Sequence, residues 1–239
     1  MHRKTVIDFR TLGERYTFTQ PIKELKTRNV AEVADLLAQV ESFQEQGYYV
    51  VGYVSYEAAP AFEEKLAVHK APLLAEYLLY FTVHDSVETS PIPLAYDEVD
   101  LPSNWQEVTS AEDYEKAIAQ IHYHLRQGDT YQVNYTVQLK QDLSANPFAI
   151  YNRIVVEQEA GYNAYVEHDD MAVISMSPEL FFEQNGRELT TRPMKGTTKR
   201  GLNDDDDLKE AAWLEQDPKN RSENMMIVDL RSEEHTSEL

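Results

Sequence analysis

The sequence predicts a fold that mixes helices with antiparallel strands, and three local patterns carry that prediction. Apolar residues recur at helical spacing after Asn29, and a run rich in β-branched and aromatic residues follows from Tyr48 to Tyr56. Further along, the pair Asn185-Gly186 separates two strand-like segments, which is typical of a tight hairpin. The chain therefore combines α and β structure, and at least two of its neighbouring strands are antiparallel.

The first helix is predicted to begin at Asn29 and to end at Gly47. Glu32 stands at the capping-box distance from Asn29, and glycine is the common residue just past a helix end. In the strand that follows, Gly52 marks a position where another segment of backbone is expected to approach closely. One face of the helix is apolar and consists of Val30, Val33, Ala34, Leu37 and Val40.

A second helix is predicted to begin at Thr109, with Glu112 completing its capping box, and to end at Gly128. The residues before it, 84–105, contain three prolines and no steady period, so they are interpreted as a connector over the surface. The residues after it, 128–139, alternate between apolar and polar and predict a half-buried strand.

The hairpin around Asn185-Gly186 also predicts where two chemically interesting side chains lie. If Gln184 faces Arg187 across the turn, then Glu179 faces Arg192 at the other end of the hairpin. Lys195 follows three residues later, about 10 Å further at the rise of a strand. Glu179 and Lys195 are therefore expected at the same end of one hairpin.

A last helix is predicted from Asp217 and Pro218, because Asp caps helices well and proline fits the first turn. On this helix Glu223, Ile227 and Leu230 share one face, since they are four and three residues apart. Glu223 is thus a carboxylate at the edge of an apolar stripe. The acidic run before this helix, 203–207, is typical of a solvated helix start.

Charge and composition exclude several classes of protein. The 239 residues include 22 Lys and Arg against 42 Asp and Glu, a formal charge of −20, which is the wrong sign for binding nucleic acid or anionic membranes. Cysteine is absent, so disulfides and thiolate metal sites are excluded, and the histidines show no zinc spacing. No signal peptide and no run of about 18 apolar residues occurs, which predicts a cytoplasmic location.

The segment TRPMKGTTKRG, residues 191–201, allows more than one interpretation of its first lysine. A solvated surface charge is the ordinary interpretation of Lys195. Its neighbours are a proline-methionine pair and Gly196, which permits close packing, and a desolvated lysine loses its proton and becomes a nucleophile. The glycine spacing of 196–201 matches a phosphate loop, but the Lys and Ser or Thr that such a loop needs are missing.

Five segments taken in order resemble the chorismate-utilising enzymes: GYVSYEAAPAFE, GDTYQVNYT, SPELFF, TRPMKGTTKRG and RSENMMIVDL. The resemblance is strongest to the aminodeoxychorismate synthase component I branch. Anthranilate-forming relatives usually carry alanine where this chain has Lys195, and they usually lack the asparagine that stands here as Asn134. The resemblance implies an α+β fold, the N-terminal portion of a four-layer αββα sandwich that this chain leaves incomplete.

The resemblance also implies a role for each of three residues. Lys195 would attack C2 of the chorismate ring while the C4 hydroxyl leaves, and ammonia would then enter at C4 and expel the lysine. Glu179 would serve as general acid and base, and Glu223 would bind Mg²⁺. A glutamine amidotransferase subunit would supply the ammonia, and the product would be 4-amino-4-deoxychorismate for para-aminobenzoate and folate synthesis.

Two other functions stay open. One is an anthranilate or isochorismate synthase type of reaction on chorismate. The other belongs to a different class: a non-catalytic module that binds the glutaminase subunit.

The resemblance divides the chain into an N-terminal region (1–100), the start of a chorismate-binding catalytic domain (105–230) and a tail (231–239). The tail RSEEHTSEL is the in-frame translation of a common sequencing-adapter string, so it is interpreted as an artefact. Without the remaining strands and metal carboxylates of the family, the chain as written is expected to be inactive and prone to aggregation.

Overall fold

The structure is a computed structural model that describes residues 3–68, 77–169 and 171–233. The chain divides into two compact units, Met1–Leu94 with Ile154–Leu239 and, separately, Ala95–Arg153. The domain boundaries inferred from the resemblance divide the chain differently and stay a prediction. Of the predicted tail, the backbone to Glu233 continues a helix, and residues 234–239 lie outside the described residues.

Helices and strands alternate irregularly along the chain. Short 3-10 turns at Val30–Glu32 and Tyr56–Ala61 flank the first helix and the strand after it. The elements are β1 (Lys4–Phe9), β2 (Glu14–Thr19), β3 (Lys23–Thr27), α1 (Val33–Glu45), β4 (Tyr49–Val54), β5 (Leu79–His84), β6 (Glu88–Pro91), β7 (Gln106–Glu107), α2 (Ala111–Gln127), β8 (Leu139–Lys140), α3 (Pro147–Gln158), β9 (Tyr162–His168), β10 (Met171–Ser177), β11 (Leu180–Asn185), β12 (Glu188–Arg192), α4 (Asp204–Gln216) and α5 (Pro218–Glu233).

Two antiparallel sheets form the body of the first unit. One has the strand order β10-β9-β1-β2-β6 and the other the order β3-β5-β4. In the first sheet Asp8 on β1 lies opposite Arg15 on β2, and both side chains are buried. The guanidinium donates two hydrogen bonds to the carboxylate, from Nε at 2.8 Å and from Nη2 at 2.7 Å. This bidentate pair favours the observed register of β1 and β2, because any slip would leave two buried charges unpaired.

The segment predicted as a connector contains a strand, so that interpretation is wrong for residues 88–91. β6 pairs with β2 at the edge of the five-stranded sheet, with Thr17 opposite Glu88 and Glu14 opposite Pro91. All four residues of β6 are exposed. An edge strand needs one pairing partner and no buried face, so it carries no apolar alternation and tolerates proline.

The first helix ends as predicted, but its α-helical part begins only at Val33, because a 3-10 turn capped by Asn29 comes first. The Oδ1 atom of Asn29 accepts a hydrogen bond from the backbone N–H of Ala31 at 3.2 Å, and a 3-10 turn precedes α1. Gly47 follows the helix in a left-handed conformation with φ +87°. The helix packs on the three-stranded sheet through a buried cluster that includes Leu25, Val33, Val40, Leu79 and Val83.

Gly52 confirms the predicted close approach. A Cβ atom built on it would lie 2.0 Å from the carbonyl oxygen of Tyr80, which belongs to the neighbouring strand β5. The space that a side chain would need is therefore already occupied by backbone.

A buried histidine lies among tyrosines at the end of β9. His168 is 1% exposed, its ring centroid is 4.3 Å from that of Tyr80, and its Nε2 atom shares a 2.8 Å hydrogen bond with the hydroxyl of Tyr53. Its Nδ1 atom has no hydrogen-bond partner among the described residues. Burial lowers the pKa of His168, and the cations of Lys26 and Arg28 act in the same direction, while the carboxylates of Asp169 and Glu24 oppose them.

The lowered pKa of His168 predicts a loss of stability in mild acid. In the unfolded chain this imidazole titrates near its ordinary pKa of about 6.5. Below that pH the unfolded state therefore binds a proton that the folded state does not bind. The free energy of unfolding should therefore fall as the pH is lowered from about 6.5, with a slope from this group approaching about 1.4 kcal/mol per pH unit. Urea unfolding between pH 7 and 5 measures the slope.

The matched control for that prediction is His168→Phe, which keeps an aromatic ring but cannot titrate. The variant should show a shallower pH dependence than the parent chain, with the remainder coming from His84, whose pKa burial also lowers, and from other groups. Equal slopes in the two proteins would show that His168 titrates alike in both states.

In the second unit, α2 is capped one residue later than predicted. The hydroxyl of Ser110, not that of Thr109, accepts a hydrogen bond from the backbone N–H of Asp113 at 3.1 Å. The predicted capping box of Thr109 and Glu112 is therefore wrong by one residue, because Ser110 is the residue whose extended backbone aims its side chain at the first turn. Gly128 ends the helix with φ +79°, as predicted.

The predicted strand at 128–139 is also wrong for most of its length. Within the described residues, pairing begins only at β8, which lies antiparallel to β7. The side chains before it, such as Tyr131 and Tyr135, remain exposed, and Asn134 is exposed with them. Alternation makes a strand only where another backbone edge is available to pair with it, and here that edge is two residues long.

No helix in the part of the chain that the structure describes has the length and apolar content needed to cross a lipid bilayer.

Candidate active site

The β11–β12 hairpin forms as predicted, but its turn is placed differently. Asn185 pairs with Glu188 and Gln184 pairs with Leu189, so the two turn residues are Gly186 and Arg187. Gly186 has φ +62°. A glycine at the first turn position is typical of a type II′ turn, so the register predicted from Asn-Gly as the central pair is wrong here.

A bulge then changes the register towards the other end of the hairpin. It lies between Leu180 and Glu183, and beyond it Leu180 is opposite Arg192. The predicted pairing of Glu179 with Arg192 is therefore wrong by one residue. Glu179 nevertheless lies immediately beyond the last pair, and Lys195 follows Arg192 by three residues, so both leave the hairpin at the same end.

The turn that carries Glu179 is held by Ser177. The Ser177 hydroxyl accepts a hydrogen bond from the backbone N–H of Glu179 at 3.2 Å and donates one to its carbonyl oxygen at 3.0 Å. Glu179 itself is half-buried. These two bonds link the end of β10 to the start of β11 and restrict the backbone from which the carboxylate projects.

Lys195 is half-buried and lies in a turn that packs against α5. The next residue, Gly196, has φ +79°, and a Cβ atom built on it would lie 2.5 Å from Cγ of Asn220 in the first turn of α5. Lys195 is therefore adjacent to a point of direct contact between its loop and this helix.

Helix α5 begins at Pro218, as predicted. The Oδ2 atom of Asp217 accepts a hydrogen bond from the backbone N–H of Asn220 at 2.9 Å, which is a helix cap. Glu223 follows one turn after Asn220 and is half-buried. The Nζ atom of Lys219 lies 3.8 Å from its Oε1 atom, a long contact to an exposed side chain that contributes little to stability.

The second half of the loop is anchored to α4, a connection that the sequence interpretation missed. The hydroxyl of Thr198 donates a 2.6 Å hydrogen bond to Oε2 of Glu210, and Arg200 forms an ion pair with Asp207. The backbone N–H of Gly201 also bonds to the Asp207 carboxylate. The sequence signal for this connection was the basic pair Lys199-Arg200, which comes just before the acidic run 203–207. The predicted helix start in that run is confirmed, because Asn203 caps α4.

This anchor borders an open pocket of about 430 Å³ between the loop and α4. Its lining combines a hydroxyl, a cation, a carboxylate and an indole, from Thr198, Lys209, Glu210 and Trp213.

The described residues do not by themselves fit a magnesium ion. Mg²⁺ requires octahedral oxygen ligands, and Glu223 is the one predicted carboxylate. Across residues 3–68, 77–169 and 171–233, no group of three or more His, Cys, Asp or Glu side chains is placed to hold a metal. Glu223 stays a predicted metal ligand. Asn134, which belongs to the other unit, stays a residue predicted to distinguish the aminodeoxychorismate branch from the anthranilate branch.

Known proteins similar to this chain are chorismate enzymes. Aminodeoxychorismate synthase component 1 of Klebsiella aerogenes is 32% identical over 143 residues, which cover 60% of this chain and 31% of that protein. Anthranilate synthase component 1 of Lactococcus lactis subsp. lactis is 36% identical over 121 residues, which cover 51% of this chain and 26% of that protein. The matched segments thus span about a quarter to a third of these curated relatives.

A solved structure shows the fold. Anthranilate synthase component I from Streptococcus pneumoniae superposes with a TM-score of 0.71 at 16% identity, over 95% of this chain and 60% of that one. The mixed sheets and helices are therefore those of the chorismate-utilising α+β fold, as predicted. The sequence profile described as chorismate binding enzyme matches residues 3–235. The chain belongs to the chorismate binding enzyme family.

Proposed function

We propose that this chain carries the reactive lysine of an aminodeoxychorismate synthase component I, and that an enzyme containing it replaces the C4 hydroxyl of chorismate by an amino group. The observation that carries the proposal is the placement of Lys195. It is half-buried, it leaves the hairpin at the same end as Glu179, and its turn packs against the helix that bears Glu223. Similarity alone does not choose the reaction, because relatives named for aminodeoxychorismate and for anthranilate synthesis are about equally similar.

The proposed reaction has two displacements that balance in atoms and charge. The neutral Nζ atom of Lys195 bonds to ring carbon C2, the ring double bonds shift, and the C4–oxygen bond breaks while Glu179 gives its proton to the departing hydroxyl. Ammonia then bonds to C4, the C2–nitrogen bond breaks, and Glu179 takes a proton from the incoming nitrogen. The net change is chorismate plus ammonia to 4-amino-4-deoxychorismate plus water.

The proposal extends to partners, for which the family resemblance is the support. Ammonia would come from a glutamine amidotransferase subunit in the cytoplasm, and the product would supply para-aminobenzoate and folate synthesis. Mg²⁺ would bind Glu223 only together with carboxylates from outside the described residues, and no step above depends on it.

A second candidate is amination at C2, as in the anthranilate synthases, and the Lactococcus lactis relative is the observation that favours it. In that chemistry ammonia itself reacts at C2, so Lys195 has no covalent role.

The experiment is to join residues 1–230 to the C-terminal part of a related aminodeoxychorismate synthase component 1, incubate that joined enzyme with chorismate, and identify modified peptides by mass spectrometry. We expect an adduct on Lys195 with the mass of chorismate less water, which ammonium chloride converts into free 4-amino-4-deoxychorismate. Anthranilate without an adduct would support the second candidate. Chorismate or glutaminase binding with neither adduct nor product would support the non-catalytic module.

A further inference from the structure

We propose that Asn220 is a positioning residue for Lys195: its side chain, on α5, packs against Gly196 and thereby fixes where the Lys195-Gly196 turn lies. The inference goes beyond the roles given to Lys195, Glu179 and Glu223. This inference deepens the proposed function. It rests on that function in one respect, which is that the position of Lys195 affects the reactivity of its amine.

The first support is the contact at Gly196. A Cβ atom on this residue would lie 2.5 Å from both Cγ and Oδ1 of Asn220 and 2.9 Å from its Nδ2. Real Cβ atoms essentially never come that close to another heavy atom. The carboxamide of Asn220 thus fills the space that a side chain would take, directly after the lysine.

The second support is that Asn220 is itself held firmly. Its backbone N–H donates to the Asp217 cap at 2.9 Å, so it belongs to the ordered first turn of α5. Glu223 lies three residues further on, which places it on the same side of the helix. One side chain therefore sets the contact between the Lys195 turn and the helix that carries the predicted metal ligand.

The third support is the kind of contact. Across the part of the chain that the structure describes, no hydrogen bond to the Asn220 carboxamide is formed, although the residue is half-buried. What it contributes to the loop is therefore volume and shape. The backbone conformation of Gly196, φ +79°, is a separate reason for glycine there, and a test must distinguish the two.

The first test measures the reactivity of Lys195 in the full chain. A small amine-modifying reagent is applied at limiting concentration over a range of pH, and peptide mass spectrometry compares Lys195 with the exposed Lys199 of the same loop. Asn220→Ala should change the Lys195-to-Lys199 ratio by about threefold or more, because loss of the carboxamide lets the segment that carries Lys195 change its position. Asn220→Leu, which restores a branched side chain of similar shape, should return the ratio towards that of the parent.

The matched control is Asn224→Ala, one turn further along the helix, where the side chain is exposed. This variant should leave the ratio unchanged. A ratio in Asn220→Ala equal to that of the parent chain would overturn the proposal. Unfolding would also expose the half-buried Lys195, so the far-UV circular dichroism of each variant is compared with that of the parent to recognise a loss of folding.

A second test separates contact from backbone strain. Gly196→Ala is made in the parent chain and in an Asn220→Gly background, and the urea midpoints are compared. Strain from φ is the same in both, so the substitution should lower the midpoint less when the carboxamide is absent. Equal shifts would contradict the contact. If no chorismate adduct forms but both tests succeed, the proposed function fails while the positioning role stands.

Discussion

Lys195→Ala is expected to lower the rate of chorismate amination by about 10³-fold or more, since removing a nucleophile that forms a covalent intermediate eliminates the main route of reaction. The half-buried lysine is the one group in the loop for which the proposed mechanism requires a free electron pair. Product formation from chorismate and ammonium in the joined enzyme, followed by liquid chromatography, measures the effect, and the chorismate adduct should disappear with it.

Two variants make that result specific. Lys199→Ala removes an exposed lysine from the same loop and should leave the rate unchanged. Lys195→Arg keeps the positive charge, but a guanidinium stays protonated in proteins and does not attack carbon, so it should be as inactive as alanine. Activity retained in Lys195→Arg would indicate that the lysine acts as a charge. Full activity in Lys195→Ala would remove the proposed mechanism altogether.

Gly52→Ala is expected to have the largest effect on stability. The added Cβ would lie 2.0 Å from the carbonyl oxygen of Tyr80 and 2.7 Å from Cα of Phe81, and both are backbone atoms of the paired strand β5. They cannot move without breaking the β4–β5 pairing. We expect a loss of about 3 kcal/mol or more, a large share of the roughly 5–15 kcal/mol that stabilises most domains.

Urea unfolding followed by far-UV circular dichroism measures this loss. Gly161→Ala is the matched control, because nothing lies within 4 Å of the Cβ that it would add and its φ is not positive. It should stay within about 0.5 kcal/mol of the parent. A Gly52→Ala protein as stable as the control would mean that the two strands separate easily at this point.

The local signals in the sequence predicted helix ends well. Asn29 caps the 3-10 turn that leads into α1, Asp217 caps α5, and Gly47 and Gly128 follow helix ends with positive φ. These features depend on residues within one turn of each other, so a short stretch of sequence contains all the interacting groups. The errors of this kind were small: α1 begins at Val33 after a 3-10 turn, and Ser110 in place of Thr109 caps α2.

Strand pairing was predicted less well, because each strand needs a partner that the local sequence does not specify. Residues 128–138 alternate but form no strand in the described part of the chain, whereas β6 has no alternation and pairs with β2. The bulge between Leu180 and Glu183 likewise moved the register at the end of the hairpin that matters for the site.

For the candidate site, family resemblance named Lys195, Glu179 and Glu223, and their chemical roles stay predictions. The hairpin motif alone predicted that Glu179 and Lys195 leave by the same end, because a two-residue turn relates two strands by short-range geometry. The tertiary structure alone decided the contact of Gly196 with Asn220 and the anchoring of Thr198 on Glu210. Both join a loop to a helix that lies further along the chain, and such contacts arise from packing and not from any local pattern.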